Sequence, residues 1–156
     1  MRGLLVVSFF LVVQCSCSHI FNIQQKKPNA EDLIVKMRRT ACYGTCPQYE
    51  IHIYNSGFIY YKGIMFVEKK GCFFSYISSN SIEQIKMTLD QINFFQMEDD
   101  YLSPITDVPS VILEVSIGDK KHVVKDRLSG PKELKNAHNF IDSIANSVVD
   151  WLLCVD

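Results

Sequence analysis

The sequence has no excess of charge of either sign. It contains 16 Lys and Arg residues against 17 Asp and Glu residues, for a formal net charge of −1 at pH 7. Basic residues occur singly or in pairs such as Lys120-Lys121, so no basic patch predicts a nucleic-acid partner. The chain also lacks the run of roughly 20 apolar residues that a membrane-spanning helix needs. Internal repeats, low-complexity tracts and cofactor motifs are absent as well.

The longest apolar run is short and lies near the start. A positively charged beginning, Met1-Arg2-Gly3, precedes an apolar stretch over residues 4–13 that only Ser8 interrupts. This arrangement is typical of a secretory signal. We predict a signal peptide of the lipoprotein type over residues 1–17, a polar linker over 18–30 and a single domain over 31–156.

Lipid attachment is expected at Cys17, because the small residue Ser16 precedes it. Cys15 follows the bulkier Gln14 and is the alternative, as is simple secretion without a lipid. The predicted location is therefore the bacterial cell envelope, in the periplasm or at the outer membrane, with the membrane reached through the lipid anchor.

Four cysteines lie in the predicted domain, and in an oxidising compartment they can form at most two disulfides, in three possible connectivities. Cys42 and Cys46 are separated by three residues that include Gly44, so a tight turn can bring their Cα atoms to the roughly 5–6 Å that a disulfide needs. We predict a structural disulfide between them. Cys72 and Cys154 are interpreted as buried free thiols, although the sequence does not determine their state.

Two other uses of the Cys42–Cys46 pair stay open. Thioredoxin-type redox pairs have two intervening residues at a helix N-terminus, which lowers the pKa of the attacking thiol. Here three residues intervene, and a strand is predicted to follow. A structural zinc site needs four ligands. His52 and Cys72 are available, but no spacing requires them, so neither a metal nor a cofactor is predicted.

Alternating apolar residues predict strands at 33–39, 49–54, 58–62, 72–77, 111–117 and 122–125. Helical spacing predicts one helix with Asn80 as N-cap and Glu83 completing a capping box. A second helix is predicted to begin near Pro131, with an apolar stripe that runs to Leu152. The order ββββ-α-ββ-α predicts an α+β fold: a mainly antiparallel sheet of about six strands with two helices packed on one face.

The segment from Arg39 to Tyr49 resembles a family of uncharacterised exported bacterial proteins, many of which look like lipoproteins: domain-of-unknown-function family 6438. The family pattern is an Arg, then Cys-aromatic-Gly-x-Cys-Pro-x-Tyr, a strand, a Gly turn and Tyr-x-Gly. The matching residues here are Arg39, Cys42, Tyr43, Gly44, Cys46, Pro47, Tyr49, Gly57, Tyr61 and Gly63, and farther on Tyr101, Asp107, Pro109, Pro131, Ile141 and Asp142. The resemblance covers roughly residues 32–145. It implies no reaction and leaves the roles of its residues open.

Asp107 lies in an acidic loop over residues 98–109 and has two interpretations. It is either a carboxylate that binds a cation or acts in catalysis, or a loop residue that caps a turn before Pro109. The loop lacks the alternating oxygen ligands and the Gly turn of a calcium site, which favours the turn. Arg39 ends a predicted strand on its apolar-facing register and is expected to pair with a loop carboxylate such as Asp107. His138 lies on the apolar stripe of the last helix and is interpreted as a core or boundary histidine whose ring nitrogens are hydrogen-bonded.

No set of catalytic residues can be argued from spacing. The leading hypothesis is a non-catalytic binding or interaction module of the cell envelope, whose sheet face or loops bind an unknown envelope protein or ligand. One alternative is a thiol-redox factor or other enzyme that uses Cys42 and Cys46 or the Asp107 loop. Another is an inhibitor of an envelope enzyme.

Overall fold

The computed structural model describes residues 28–154. The predicted signal peptide over 1–17, with Cys15 and Cys17, and most of the predicted linker lie outside the described residues. The described strands are β1 (Leu33–Arg39), β2 (Gln48–Tyr54), β3 (Phe58–Met65), β4 (Gly71–Tyr76), β5 (Asp100–Leu102), β6 (Val111–Ile117), β7 (Lys120–Arg127) and β8 (Leu152–Leu153). The helices are α1 (Ser79–Gln91) and α2 (Lys132–Ser147). Among residues 28–154, no helix has the length and apolar character needed to cross a membrane.

All eight strands form one sheet in the order β5-β7-β6-β1-β2-β3-β4-β8. Every neighbouring pair is antiparallel except β5 and β7, which are parallel. The predicted α+β class with a mainly antiparallel sheet is confirmed, but the sheet has two more strands than the six expected. The extra strands are β5 and β8, at the two edges. With three and two residues, they are too short to show an alternating pattern.

The helix boundaries differ slightly from those predicted. Ser78, not Asn80, is the N-cap of α1, and its Oγ accepts a hydrogen bond from the backbone N–H of Ser81 at 3.1 Å. Helix α2 begins directly after Pro131, as expected, but ends at Ser147. Leu152, predicted to continue its apolar stripe, lies instead in β8. The backbone becomes extended at Val148 (φ −73°, ψ 121°), which ends the helix before the stripe does.

Both helices pack on one face of the sheet. Val35 lies opposite Ile53 and Val115 in the register, and these three side chains point to the same side. They share one core with apolar residues of α1 and α2, including Ile85, Leu89, Leu134 and Ile141. Since alternate strand residues point to opposite faces, Lys36, Arg38, Glu50 and His52 lie on the face without helices.

Both cysteine pairs form disulfides. The bond between Cys42 and Cys46, with Cα atoms 5.8 Å apart, is the predicted one. A second bond joins Cys72 to Cys154, with Cα atoms 5.4 Å apart, so the interpretation of these two residues as free thiols is wrong. They become neighbours because β8 pairs with the end of β4, where the Cys154 N–H donates to the Cys72 carbonyl oxygen at 3.1 Å.

Candidate functional site

Three polar side chains meet where the β1–β2 pair ends beneath α2. Arg39 and Tyr49 lie opposite each other in the register of β1 and β2. The Asp142 carboxylate of α2 accepts hydrogen bonds from both residues. Its Oδ2 accepts from Arg39 Nε at 3.1 Å and also from Arg39 Nη2. Its Oδ1 accepts from the Tyr49 hydroxyl at 2.6 Å. We call Arg39, Tyr49 and Asp142 the Asp142 cluster.

The cluster is largely shielded from water. The side chains of Arg39 and Asp142 are 25% and 16% exposed. Burial alone lowers the pKa of Arg39, but the hydrogen bond and charge of Asp142 outweigh it, and the pKa is raised. Burial, and then the hydrogen bond to Asp142, raise the pKa of Tyr49 well above its usual 10. Tyr49 therefore stays a neutral donor, and both carboxylate oxygens of Asp142 are engaged.

A pocket of about 530 Å³ opens beside the Asp142 cluster. A row of three aromatic rings lines it: the centroids of Tyr49 and Tyr61 are 5.6 Å apart, and those of Tyr61 and Trp151 are 5.8 Å apart. Charged, polar and apolar side chains complete the lining, among them Pro47, Phe66, Glu68, Lys69 and Asn146.

The β3–β4 connection forms one rim of this pocket, and Gly63 allows it to do so. The connection folds back so closely that a Cβ atom on Gly63 would collide with the carbonyl oxygen of Lys69. Phe66 has a φ of 55°, which is rare for a residue other than glycine. The close approach of Lys69 to β3 places the side chains of residues 66–69 along the pocket.

Residues 148–154, which we call the C-terminal strap, contribute Trp151 to the lining of the pocket. Trp151 projects from the strap onto Tyr61. The neighbouring Asp150 accepts a hydrogen bond from Ser75 Oγ at 3.1 Å. The strap then pairs with β4 through β8 and ends at Cys154, in its disulfide with Cys72.

The profile of the domain of unknown function DUF6438 matches residues 33–145. The chain belongs to this family. The match to DUF6438 runs from the first residue of β1 into α2, so it contains the Asp142 cluster and the β3–β4 rim of the pocket. The C-terminal strap with Trp151 follows the matched segment. A comparison with curated proteins found no match.

The acidic loop of this DUF6438 chain does not supply the partner of Arg39. Arg39 pairs with Asp142, so the expected pair with Asp107 is wrong. The Asp107 side chain is exposed, and its backbone carbonyl accepts a hydrogen bond from the Tyr43 N–H at 3.3 Å. The reason lies in the register: Arg39 points to the face that α2 covers, whereas the Asp107 backbone is hydrogen-bonded to Tyr43 in the Cys42–Cys46 loop.

The structure brings together only part of the DUF6438 pattern. Arg39 and Tyr49 belong to the Asp142 cluster, and Pro47 lines the pocket just after the Cys42–Cys46 bond. Gly44 lies inside that disulfide loop, where its N–H donates to Cys42 Sγ at 3.2 Å. Tyr101 lies in β5 at the far edge of the sheet, and its hydroxyl accepts from the Glu98 N–H at 3.3 Å.

His138 lies one helical turn before Asp142 on α2 and is only 2% exposed, as expected for a core histidine. Its Nε2, however, has no hydrogen-bond partner among the described residues, so the expected hydrogen bonding of both ring nitrogens is not found. Burial, followed by the positive charges of Arg39 and Lys135, lowers its pKa to about 4.

The zinc alternative considered for the cysteines is not formed. The sulfur atoms of Cys42, Cys46 and Cys72 are all in disulfides. In the described part of the chain, no three His, Cys, Asp or Glu side chains come together in a way that would hold a metal ion.

Sequence reasoning did not assign a role to Asp142 or to Trp151. For Asp142 a signal exists: it adjoins Ile141 on the apolar stripe of α2, while Arg39 occupies a core-facing strand position. Opposite charges at two core-facing positions need partners, and each is the other's partner. Trp151 carries no such signal, because its place depends on how the strap returns to β4.

Proposed function

We propose that this DUF6438 protein is a non-catalytic binding module that holds a ligand in the pocket lined by Tyr49, Tyr61 and Trp151. The observation that carries the proposal is the row of aromatic rings in a concavity of about 530 Å³, beside the hydrogen-bonded Asp142 cluster. Ligand sites in proteins are typically concavities of about 300–1,000 Å³ with apolar walls and a few fixed polar groups.

The charges around the pocket favour an uncharged ligand. Arg39 balances Asp142 in an ion pair, and the other charged lining residues, Glu68 and Lys69, are of opposite sign. Tyr and Trp offer a flat apolar face with a polar tip. The expected ligand is a small molecule, or a projecting group of an envelope protein, with a flat apolar face and polar edges.

The Asp142 cluster favours binding over catalysis. A general base must be positioned to take a proton from the substrate, whereas the carboxylate of Asp142 is held in an ion pair with Arg39 and a hydrogen bond with Tyr49 that tie α2 to the sheet. The thiol-redox alternative has less support, because strand β2 follows the Cys42–Cys46 loop and no helix N-terminus is there to lower a thiol pKa.

The proposal places the domain outside the cytoplasm, on a lipid anchor at Cys17. The two disulfides support an oxidising compartment, in keeping with the signal peptide predicted from the sequence. Membrane fractionation of cells that express Cys17→Ser tests the anchor, with Cys15→Ser as the matched control. We expect the Cys17 variant alone to leave the membrane fraction. Unchanged membrane retention of the Cys17 variant would count against this site.

Trp151 is the only tryptophan of the chain and reports on its own pocket. The test follows its fluorescence while low-molecular-mass fractions of bacterial envelope extract are added. An active fraction is expected to change the emission of the wild type and of the control Tyr76→Ala, because Tyr76 lies on the face without helices. Tyr61→Ala is expected to lose the response. An equal response of all three proteins would contradict binding in this pocket.

A further inference from the structure

The side chains of the C-terminal strap bury little apolar surface against the rest of the domain. Val149, Leu152 and Leu153 are 94%, 41% and 67% exposed, and no residue of the strap is fully buried. Val148 and Trp151 pack partly against the core. With so little apolar burial, the position of the strap depends on its specific attachments to β4.

Three attachments hold the strap. One is the hydrogen bond from Ser75 to Asp150, and another is the pairing of the two-residue strand β8 with Phe73 and Phe74. Short pairings at a sheet edge open readily in the native state. The third attachment, the disulfide between Cys72 and Cys154, is covalent and does not open in this way.

We propose that the Cys72–Cys154 disulfide is a clamp that holds Trp151 against Tyr61, so that a dithiol reductant opens the pocket while the rest of the domain stays folded. The consequence for a bound ligand rests on the proposed function. The movement of Trp151 is independent of that function, because it follows only from how the strap is attached to β4.

The bond is placed where a reductant can reach it. Both cysteines are partly exposed, and β8 is the last strand of the sheet. A thiolate of the dithiol attacks one sulfur, and the other sulfur leaves and takes a proton from solvent. The second thiol of the reductant then resolves the mixed disulfide. The reductant leaves as a disulfide, and two electrons and two protons remain on the thiols of Cys72 and Cys154.

Opening of the strap leaves the main core in place. Apart from Phe74 of β4, the buried apolar residues come from β1, β2, β3, β6, β7, α1, α2 and the turn that contains Phe94. None of them belongs to residues 148–154. The ion pair between Arg39 and Asp142, which ties α2 to the sheet, also lies outside the strap.

Acrylamide quenching of Trp151 in the full-length chain tests the clamp. Dithiothreitol is expected to raise the quenching constant of the wild type about threefold, because local opening exposes a half-buried ring. The matched control Cys42→Ser/Cys46→Ser keeps the clamp and should respond in the same way. Cys72→Ser/Cys154→Ser should show the raised constant without reductant and no further response. A wild-type value in that variant would overturn the proposal.

Amide hydrogen exchange distinguishes opening of the strap from unfolding of the domain. Because it is measured on the reduced wild type, it also tests the clamp if the serine variant folds poorly. In the reduced wild type, the amides of residues 152–154 should lose protection, while those of Met37 and Ile51 keep it. Simultaneous loss of protection throughout the sheet would overturn the inference. Neither the quenching nor the exchange measurement uses a ligand, so a negative result in them would overturn the clamp and not the proposed function. Conversely, if no envelope fraction changed the emission of Trp151, the proposed function would be contradicted and the clamp would not.

Discussion

The ion pair between Arg39 and Asp142 joins two residues 103 positions apart and ties the end of β1 to α2. Removing one partner leaves the other charge partly buried without compensation, which costs about 3 kcal/mol. We expect Arg39→Ala and Asp142→Ala each to lower the free energy of unfolding by about this amount. The double variant should fall short of the sum by about 2 kcal/mol.

Urea unfolding of the four proteins measures this coupling. The control cycle uses Lys121 of β7 and Glu114 of β6, a cross-strand pair whose side chains are 65% and 29% exposed, for which about 0.5 kcal/mol or less is expected. A coupling energy between Arg39 and Asp142 no larger than that of the control would show that the pair does not tie β1 to α2.

Tyr49 should make the domain sensitive to alkaline pH. Its pKa is raised by burial and by the hydrogen bond to Asp142, so the folded protein keeps a proton that the unfolded chain loses near pH 10. The stabilisation is complete below pH 10 and decreases as the pH rises through the folded-state pKa.

The free energy of unfolding of Tyr49→Phe, measured at pH 8 and at pH 11, tests this. The variant should lose about 2 kcal/mol at pH 8, the typical contribution of a hydrogen bond to a charged group. It should then decline less steeply than the wild type up to pH 11. Burial also raises the pKa of Tyr54, Tyr60 and Tyr61, so some decline remains. Parallel profiles would contradict the assignment to Tyr49.

His138 should make the domain sensitive to acid. Its pKa is lowered from 6.5 to about 4 in the folded state, so the unfolded chain binds a proton more readily. The resulting stability is complete above pH 6.5 and decreases as the pH falls toward 4. At about 1.4 kcal/mol per pKa unit, the full loss is about 3 kcal/mol.

Chemical unfolding between pH 7 and pH 5 measures how much of the pH dependence of the free energy of unfolding is due to His138. The wild type should lose about 2 kcal/mol over this interval by proton linkage, and His138→Leu should lose much less. Because Nε2 of His138 has no hydrogen-bond partner among the described residues, the leucine variant should be no less stable than the wild type at pH 7. A variant that keeps the full acid sensitivity would exclude His138 as its source.

Gly63 should tolerate no side chain. A Cβ atom there would collide with the carbonyl oxygen of Lys69, and the β3–β4 rim of the pocket would have to move. We expect Gly63→Ala to lower the free energy of unfolding by about 3 kcal/mol. Gly118→Ala is the control: its φ is +59° with open space around it, so only the backbone cost of about 1 kcal/mol applies. Equal losses would mean that the rim adapts freely.

The two disulfides should differ in their contribution to global stability. Their cysteines are 4 and 82 residues apart in sequence. The chain-entropy model gives about 2 kcal/mol for the short loop and about 4–5 kcal/mol for the long one. Differential scanning calorimetry should therefore show a clearly lower melting temperature for Cys72→Ser/Cys154→Ser than for Cys42→Ser/Cys46→Ser. The reverse order would contradict this account.

Features that depend on neighbouring residues were predictable from the sequence. The alternation of Val35 and Met37 predicts β1, and the turn before β3 has Gly57 with a φ of 85°, as its position suggested. The bond between Cys42 and Cys46 spans five residues, so the spacing alone makes it possible. The α+β class follows from the order of such local patterns, each of which records the period of a strand or a helix.

Tertiary structure alone decided the candidate site. The strand β8, the partner of Cys72, the partner of Arg39 and the place of Trp151 each depend on two segments that meet only after the sheet and α2 have packed. Arg39 had several carboxylates of equal chemistry available, and the register of β1 under α2 selected Asp142. Hydrophobic periodicity tells which side of an element is buried, but the pairing of segments distant in sequence is selected by the packing of the whole domain, and the pocket depends on that pairing.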